Sequence, residues 1–483
     1  MSDKATKLGL GALAALVVGS MVGGGIFDLP QNVSESAGVG ATLIGWAITG
    51  VGMLTLAFVF QTLANRKPDL DGGVYIYAKQ GFGDYMGFSS AWGYWMSAWL
   101  GNVSYMVLLF TTLGYFFPSL LQVDPETGVR TVGLAAIIGA SVLLWVMHFM
   151  ILRGVKEATF INSIVTVAKL APLVIFIIAG FLAFKLEIFT ADIWAVGNPE
   201  LGSVMTQVKN MMMVTAWVFI GIEGASIFSG RARKRSDVGK ATVLGFLGVL
   251  SLLVLVNVLS LGIMSQAQLA GLQSPSLGAV LEHAVGPWGG ILISVGVCVS
   301  LLGALLSWVL LCAEILYTAA SDKTMPAFLG KVNKNDVPAN GLWLSNAAVQ
   351  VFLIITLFSG STYLSLIKLA TSMVLVPYLW SAAYALLLCV KKETYETEKA
   401  SWNKDVVIAV IAVIYAIWLL YAGGLKYILL STLLYAPGAL LFIKAKREAN
   451  KPVFTTIEKV IFAAVLLSAI IAAVQLIQGS LTI

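Results

Sequence analysis

Two clusters of residues stand where an apolar chain gives them no ordinary excuse. Gly23-Gly24-Gly25 lies inside one long apolar run, and Gly221-Ile222-Glu223-Gly224 lies inside another. Glycine is a poor helix former, so three in succession mark a place where a helix can open. An opened helix exposes N–H groups, and the partial positive charge at such an end can hold a carboxylate. The residues around the first opening are Ser20, Met21, Gly23, Gly24 and Gly25. Close packing of neighbouring helices is the alternative use of the same glycines. Trp217 adjoins the second opening and Trp308 sits in the middle of a later run. An indole face attracts a desolvated cation by ~2 kcal/mol or more, although either tryptophan would also serve as plain packing. Glu223 and Lys169 are ionisable groups inside apolar runs, which are costly and usually functional. Glu223 could be a counter-ion, a protonation site or a tie for an unwound segment. Lys169 could be a fixed internal ammonium or a lysine near the membrane edge. Asp28, just past the first opening, could steer cations or cap a half-helix.

The elements that must position these groups are read from composition. Of 483 residues, 59% are hydrophobic and 11% charged, against roughly 25% charged in soluble domains. That excludes a soluble enzyme and a disordered chain. The net charge of +6 comes from short basic clusters between apolar runs, which read as topology markers and not as a nucleic-acid patch. Cys298, Cys312 and Cys389 all fall in apolar runs and suggest neither a disulfide framework nor a metal site. There is no nucleophile–base pair, phosphate loop or cofactor motif. A helix needs about 20 apolar residues to cross a bilayer, and thirteen runs qualify: 8–35, 40–64, 86–117, 131–152, 160–184, 206–230, 240–263, 288–318, 340–358, 362–390, 405–423, 426–443 and 456–478. Backbone groups cannot go unpaired in lipid, so the expected fold is an all-α polytopic membrane protein. The first run ends in polar residues without a cleavage site and reads as a retained helix.

With a cytoplasmic N-terminus, most of the 30 lysines and arginines fall inside. Arg130, Lys185, Lys209, Lys368 and Lys426 fall on the outer side, and Lys169 within a span. An odd number of spans places Ile483 outside. Residues 65–85 form an inner loop in which 74–80 suits a short interfacial helix, and 264–287 form an outer loop with a helix near 276–284. The two glycine-opened runs are the first and the sixth, five apart. Paired, glycine-broken helices in two halves of a chain are the sequence signature of a transport site.

At the level of motifs, the chain resembles the amino acid–polyamine–organocation superfamily, and within it the basic amino acid antiporters. The matching pieces are Gly23-Gly24-Gly25-Ile26-Phe27-Asp28-Leu29-Pro30, Asp71-Gly72-Gly73-Val74-Tyr75, Phe88-Ser89-Ser90-Ala91-Trp92-Gly93-Tyr94-Trp95, Trp217-Val218-Phe219-Ile220-Gly221-Ile222-Glu223, Met325-Pro326-Ala327-Phe328 and Val376-Pro377-Tyr378. The resemblance implies a leucine-transporter-like five-plus-five inverted repeat with discontinuous helices 1 and 6 and extra C-terminal helices. The core would cover 1–455, and 456–483 would add a peripheral helix. It implies a substrate carboxylate and amino group at Ser20, Met21, Gly23, Gly24, Gly25, Trp217 and Ile220, and a basic side chain among Ser97, Ala98, Asn102, Trp217 and Trp308. Gating aromatics would be Tyr94, Trp217 and Trp308, with Glu223 and Lys169 in gating or coupling. The family's usual serine–glycine pair at the first break is Gly24-Gly25 here, which removes one side-chain hydrogen bond. Lys169 would stand where other members hold a sodium ion between spans 1 and 8.

The function implied is exchange of external arginine for internal ornithine by alternating access in a bacterial cytoplasmic membrane, without cofactor or metal. Pairing of two copies through spans 11 and 12 is implied as well. The alternatives are another pair, such as histidine/histamine or lysine/cadaverine, or a proton-coupled importer. An empty site with unpaired helix ends should resist closure and favour obligate exchange.

Overall fold

The computed structural model describes residues 9–70, 73–123, 128, 130–154, 159–223, 232–359, 362–395 and 399–481. Helices dominate, and each apolar run of the sequence coincides with a helical element. Span 1 is split into Leu10–Met21, a 3-10 turn Gly25–Phe27 and a short helix Leu29–Ser34. Spans 2 to 5 are Val39–Arg66, Asp84–Phe116, Leu134–Leu152 and Thr159–Ala183. The first half of span 6 is Val204–Trp217. Spans 7 to 10 are Arg235–Ile263, Pro287–Ser321, Ala339–Ser359 and Tyr363–Lys391. Spans 11 and 12 lie in one stretch, Lys399–Glu448, broken at Gly424 with φ 75°. Fifty continuous helical residues would reach about 75 Å, far more than a bilayer, and the kink at Gly424 divides the stretch into two helices without any polar loop. Span 13 is Thr456–Ile477.

The packing repeats about a two-fold relation. Spans 2, 3 and 4 pack on spans 7, 8 and 9, their counterparts five along. Span 1 packs on span 7 as span 6 packs on span 2, and span 3 packs on span 10 as span 8 packs on span 5. The short helices Val74–Phe82 and Ser276–Val285 are counterparts too, each lying along the following span. Two structurally repeated halves packed against each other produce this pattern. Both short helices were legible in the sequence. A hairpin of Leu121–Val123 with Arg130–Val132 was not, and it departs from the purely helical expectation. It lies between spans 3 and 4, where the chain carries too few apolar residues to continue either helix.

Burial ranks the spans. In its most apolar stretch span 3 is 89% buried and span 13 only 11%. Span 3 is therefore the central post and span 13 a peripheral one. One end of the bundle is tied by ion pairs: Arg66 to Asp405 at 3.1 Å, Lys79 to Asp322 at 3.3 Å, and Lys446 to Asp84 at 2.5 Å. Span 13 joins this end, where a Glu458 carboxylate oxygen accepts the Tyr85 N–H at 2.9 Å. Asp71, Gly72, Gly224 and Ile483, to which the sequence assigns a place, lie outside the described residues, as do 225–230 of the sixth run.

Candidate functional site

The first break is built by glycines for two reasons at once. Helix geometry ends at Met21, and the Gly23 N–H turns back to Met21 O at 2.9 Å. A Cβ on Gly23 would stand 2.2 Å from Tyr105 Oη. One on Gly24 would stand 2.8 Å from Leu108 and 2.9 Å from Leu301, and one on Gly25 would stand 2.9 Å from Val218 Cγ1. The opening of the helix and the close approach of spans 3, 6 and 8 therefore coincide. Among the described residues the N–H groups of Gly25 and Ile26 meet no backbone acceptor, as expected at a helix start.

The second break faces the first. Span 6 leaves helical geometry after Trp217, and Gly221 has φ 105°, a left-handed region that favours glycine. The single Ser20 O–H lies 2.9 Å from both Gly221 O and Val17 O and is shared between these two carbonyls. This hydroxyl thus joins the two breaks to each other, and only its acceptor lone pairs are left for a ligand. Glu223 is fully buried. Its carboxylate accepts Tyr94 O–H at 2.5 Å and Tyr378 O–H at 2.7 Å. It ties the unwound segment to spans 3 and 10.

Between the breaks lies a cavity lined by Met21, Gly25, Ser97, Ala98, Gly101, Tyr105, Trp217, Val218, Ile220 and Trp308. Span 3 presents one stripe to it, at positions 97, 98, 101 and 105, the spacing of a single helix face. Tyr94 stands one turn before Ser97 on the same helix, so the Glu223 cluster adjoins the cavity. No lining residue is acidic or basic. Tyr105 meets Trp217 edge to face, with centroids 6.0 Å apart, and Trp217 Nε1 donates to Tyr363 Oη at 3.2 Å. Ser97 Oγ is buried without a partner, and such a group is expected to meet a ligand or water. The arrangement offers bare amides at one side and aromatic faces at the other. That suits a small molecule carrying both a carboxylate and an apolar or cationic side chain.

Other expected residues sit beside the cavity. Asn102 Nδ2 reaches Cys312 Sγ at 3.6 Å, and its Oδ1 is buried without a partner. Lys169 is buried, and its Nζ donates to Gly19 O at 2.7 Å, bracing the end of the first half of span 1. Asp28 does not face a vestibule. It is fully buried and accepts from Ser274 Oγ and, at 2.9 Å, from the N–H of Ser276. It caps the start of Ser276–Val285, not its own helix. The steering role fails because burial removes its charge from the entry path.

The model of a family described as amino acid permease matches residues 8–432. The chain belongs to the amino acid permease family. Members are transporters, and the bundle described above is a multi-pass membrane protein of that kind. This permease is 67% identical to an arginine/ornithine antiporter of Pseudomonas aeruginosa, over 100% of the chain and 99% of the relative. It is 41% identical to an L-lysine transport protein of Corynebacterium glutamicum over 98% and 95%. It is 42% identical to an arginine/agmatine antiporter of Chlamydia caviae over 95% and 92%. Sequence reasoning missed three tyrosines of the permease, Tyr105, Tyr363 and Tyr378. Tyr105 was reachable, being eight residues from Ser97 on the same helix face. Tyr363 and Tyr378 come from span 10, and nothing local pairs them with span 6.

Proposed function

We propose that this permease exchanges external arginine for internal ornithine by alternating access, with one site between the breaks of spans 1 and 6. The observation that carries the reading is the cavity itself, which is lined by Gly25 of the first break, whose N–H meets no backbone acceptor, together with Tyr105, Trp217 and Trp308. The 67% identity to an arginine/ornithine antiporter across the whole chain supports this substrate pair. The amides take the carboxylate. The aromatic faces take the alkyl stem and the cation, which needs no acidic wall. Arginine and ornithine each carry one net positive charge at neutral pH, so one-for-one exchange moves no net charge. Glu223, held by Tyr94 and Tyr378, serves gating, because a tilt of span 3 or span 10 must break its bonds. Lys169 substitutes for a bound cation at the span 1 break. The positive-inside bias supports a cytoplasmic N-terminus and a cytoplasmic ion-paired end, and the bacterial relatives support a bacterial membrane. Residues 1–455 act as the transporting core and 456–483 as an appended helix. Pairing of two copies through spans 11 and 12 has the outward apolar side chains of Val407, Ile414, Ile417 and Leu425 as its support.

The test is counterflow in proteoliposomes. Vesicles loaded with ornithine should take up labelled external arginine at least tenfold faster than unloaded ones. Loading with lysine, cadaverine, histamine or agmatine should support less. Equal uptake by loaded and unloaded vesicles would end the antiport reading, and preference for agmatine or lysine would replace the pair.

A further inference from the structure

We propose that a second cavity, at the outer end of the bundle, is an entry site that selects whole basic amino acids over cations that lack a carboxylate. This role rests on the reading of the central cavity as an arginine site, and it sets a first choice of substrate ahead of that site.

The outer cavity has a volume of about 390 Å³, and Gln31, Asn32, Glu35, Arg130 and Tyr363 are on its wall. Glu35 ends the short helix before span 2 begins, and Arg66 ends span 2. The cavity therefore lies at the opposite end from the ion pairs. One hydrogen bond links it to the central cavity. Trp217 lines the central cavity, Tyr363 lines the outer one, and Trp217 Nε1 donates to Tyr363 Oη at 3.2 Å.

The polar groups of this wall match an amino acid in kind. Glu35 and Arg130 are exposed, and among the described residues neither enters an ion pair. Gln31 Nε2 donates to Glu35 Oε1 at 3.1 Å, and Gln31 Oε1 is left buried without a partner. Asn32 is 2% exposed, and its Nδ2 is a buried donor without a partner. Groups left in this way are expected to meet a ligand or water. The two acceptors, Glu35 and Gln31 Oε1, suit ammonium or guanidinium groups. The two donors, Arg130 and Asn32 Nδ2, suit a carboxylate, and a guanidinium fork can take both of its oxygens.

A passage that only steered cations would do better without Arg130, because like charges repel. The hairpin nevertheless puts an arginine on this wall. Agmatine carries a cation at each end and no carboxylate, so Glu35 attracts it and Arg130 repels it. Arginine has a partner for both. The outer recognition that buried Asp28 does not supply falls to Glu35.

The test is uptake of labelled arginine into right-side-out membrane vesicles loaded with ornithine, with agmatine added outside as competitor. Wild type is compared with Arg130→Gln, Arg130→Lys and Glu35→Gln. Arg130→Gln should raise the arginine KM about threefold, the scale of an exposed ion pair, and make agmatine a stronger competitor. Arg130→Lys should recover most of that loss. Glu35→Gln should weaken arginine and agmatine alike. An arginine KM that falls or stays constant in Arg130→Gln overturns the entry site alone, and so does equal weakening of both ligands in that variant. Wild-type vesicles that exchange no arginine overturn the substrate reading and the entry site with it.

Discussion

At the residue scale, the site works by leaving some groups unpaired and holding others firmly. Trp217 is fixed by Tyr363 and Tyr105, so its face is preorganised. Replacing Trp217 by Leu should remove a desolvated cation–π contact of about 2 kcal/mol, and the arginine KM in exchange should rise roughly 30-fold. A rise under threefold would show that the indole only packs. Glu223 accepts from Tyr94 and Tyr378, and exchanging it for Gln places an amide donor among donors. Loss of one bond to a charged acceptor costs about 1.5–3 kcal/mol. The exchange rate should therefore drop tenfold or more, while arginine binding in detergent changes little. An equal loss in both measurements would move Glu223 from gating to binding.

At the element scale, the two breaks depend on each other. Ser20 crosses from span 1 to Gly221 O, and a Cβ on Gly221 would meet Ser20 backbone at 2.9 Å. Positive φ adds strain for any L residue there, of order 1–3 kcal/mol. Gly221→Ala should lower the unfolding temperature and abolish exchange, whereas Ser20→Ala should keep the fold and slow exchange. Thermal unfolding and counterflow read the two separately. A Gly221→Ala protein with normal exchange would show that the break is not needed in this geometry.

At the scale of the whole molecule, burial falls from span 3 outwards to span 13. Deleting 456–483 should leave exchange within about twofold and lower thermal stability, because Glu458 caps Tyr85 and few of the span's side chains are covered. Loss of exchange in a folded truncation would make span 13 part of the moving core. The spans, the break at Gly23–25 and the short helices at 74 and 276 could be read directly, because hydrophobic length and glycine clustering are local properties of a chain. The corner at Gly424 fell between two counted runs for the same reason. Which polar group meets which is not local. Ser20 found Gly221, Asp28 found Ser276, Asn102 found Cys312 and Trp217 found Tyr363, across separations that no pattern of spacing encodes. In a low-dielectric interior each buried donor must be satisfied by whatever packing brings near. The sequence alone determined that helices would cross the membrane and where two would open. Only the folded bundle decided which amides were already taken and which were left for a ligand.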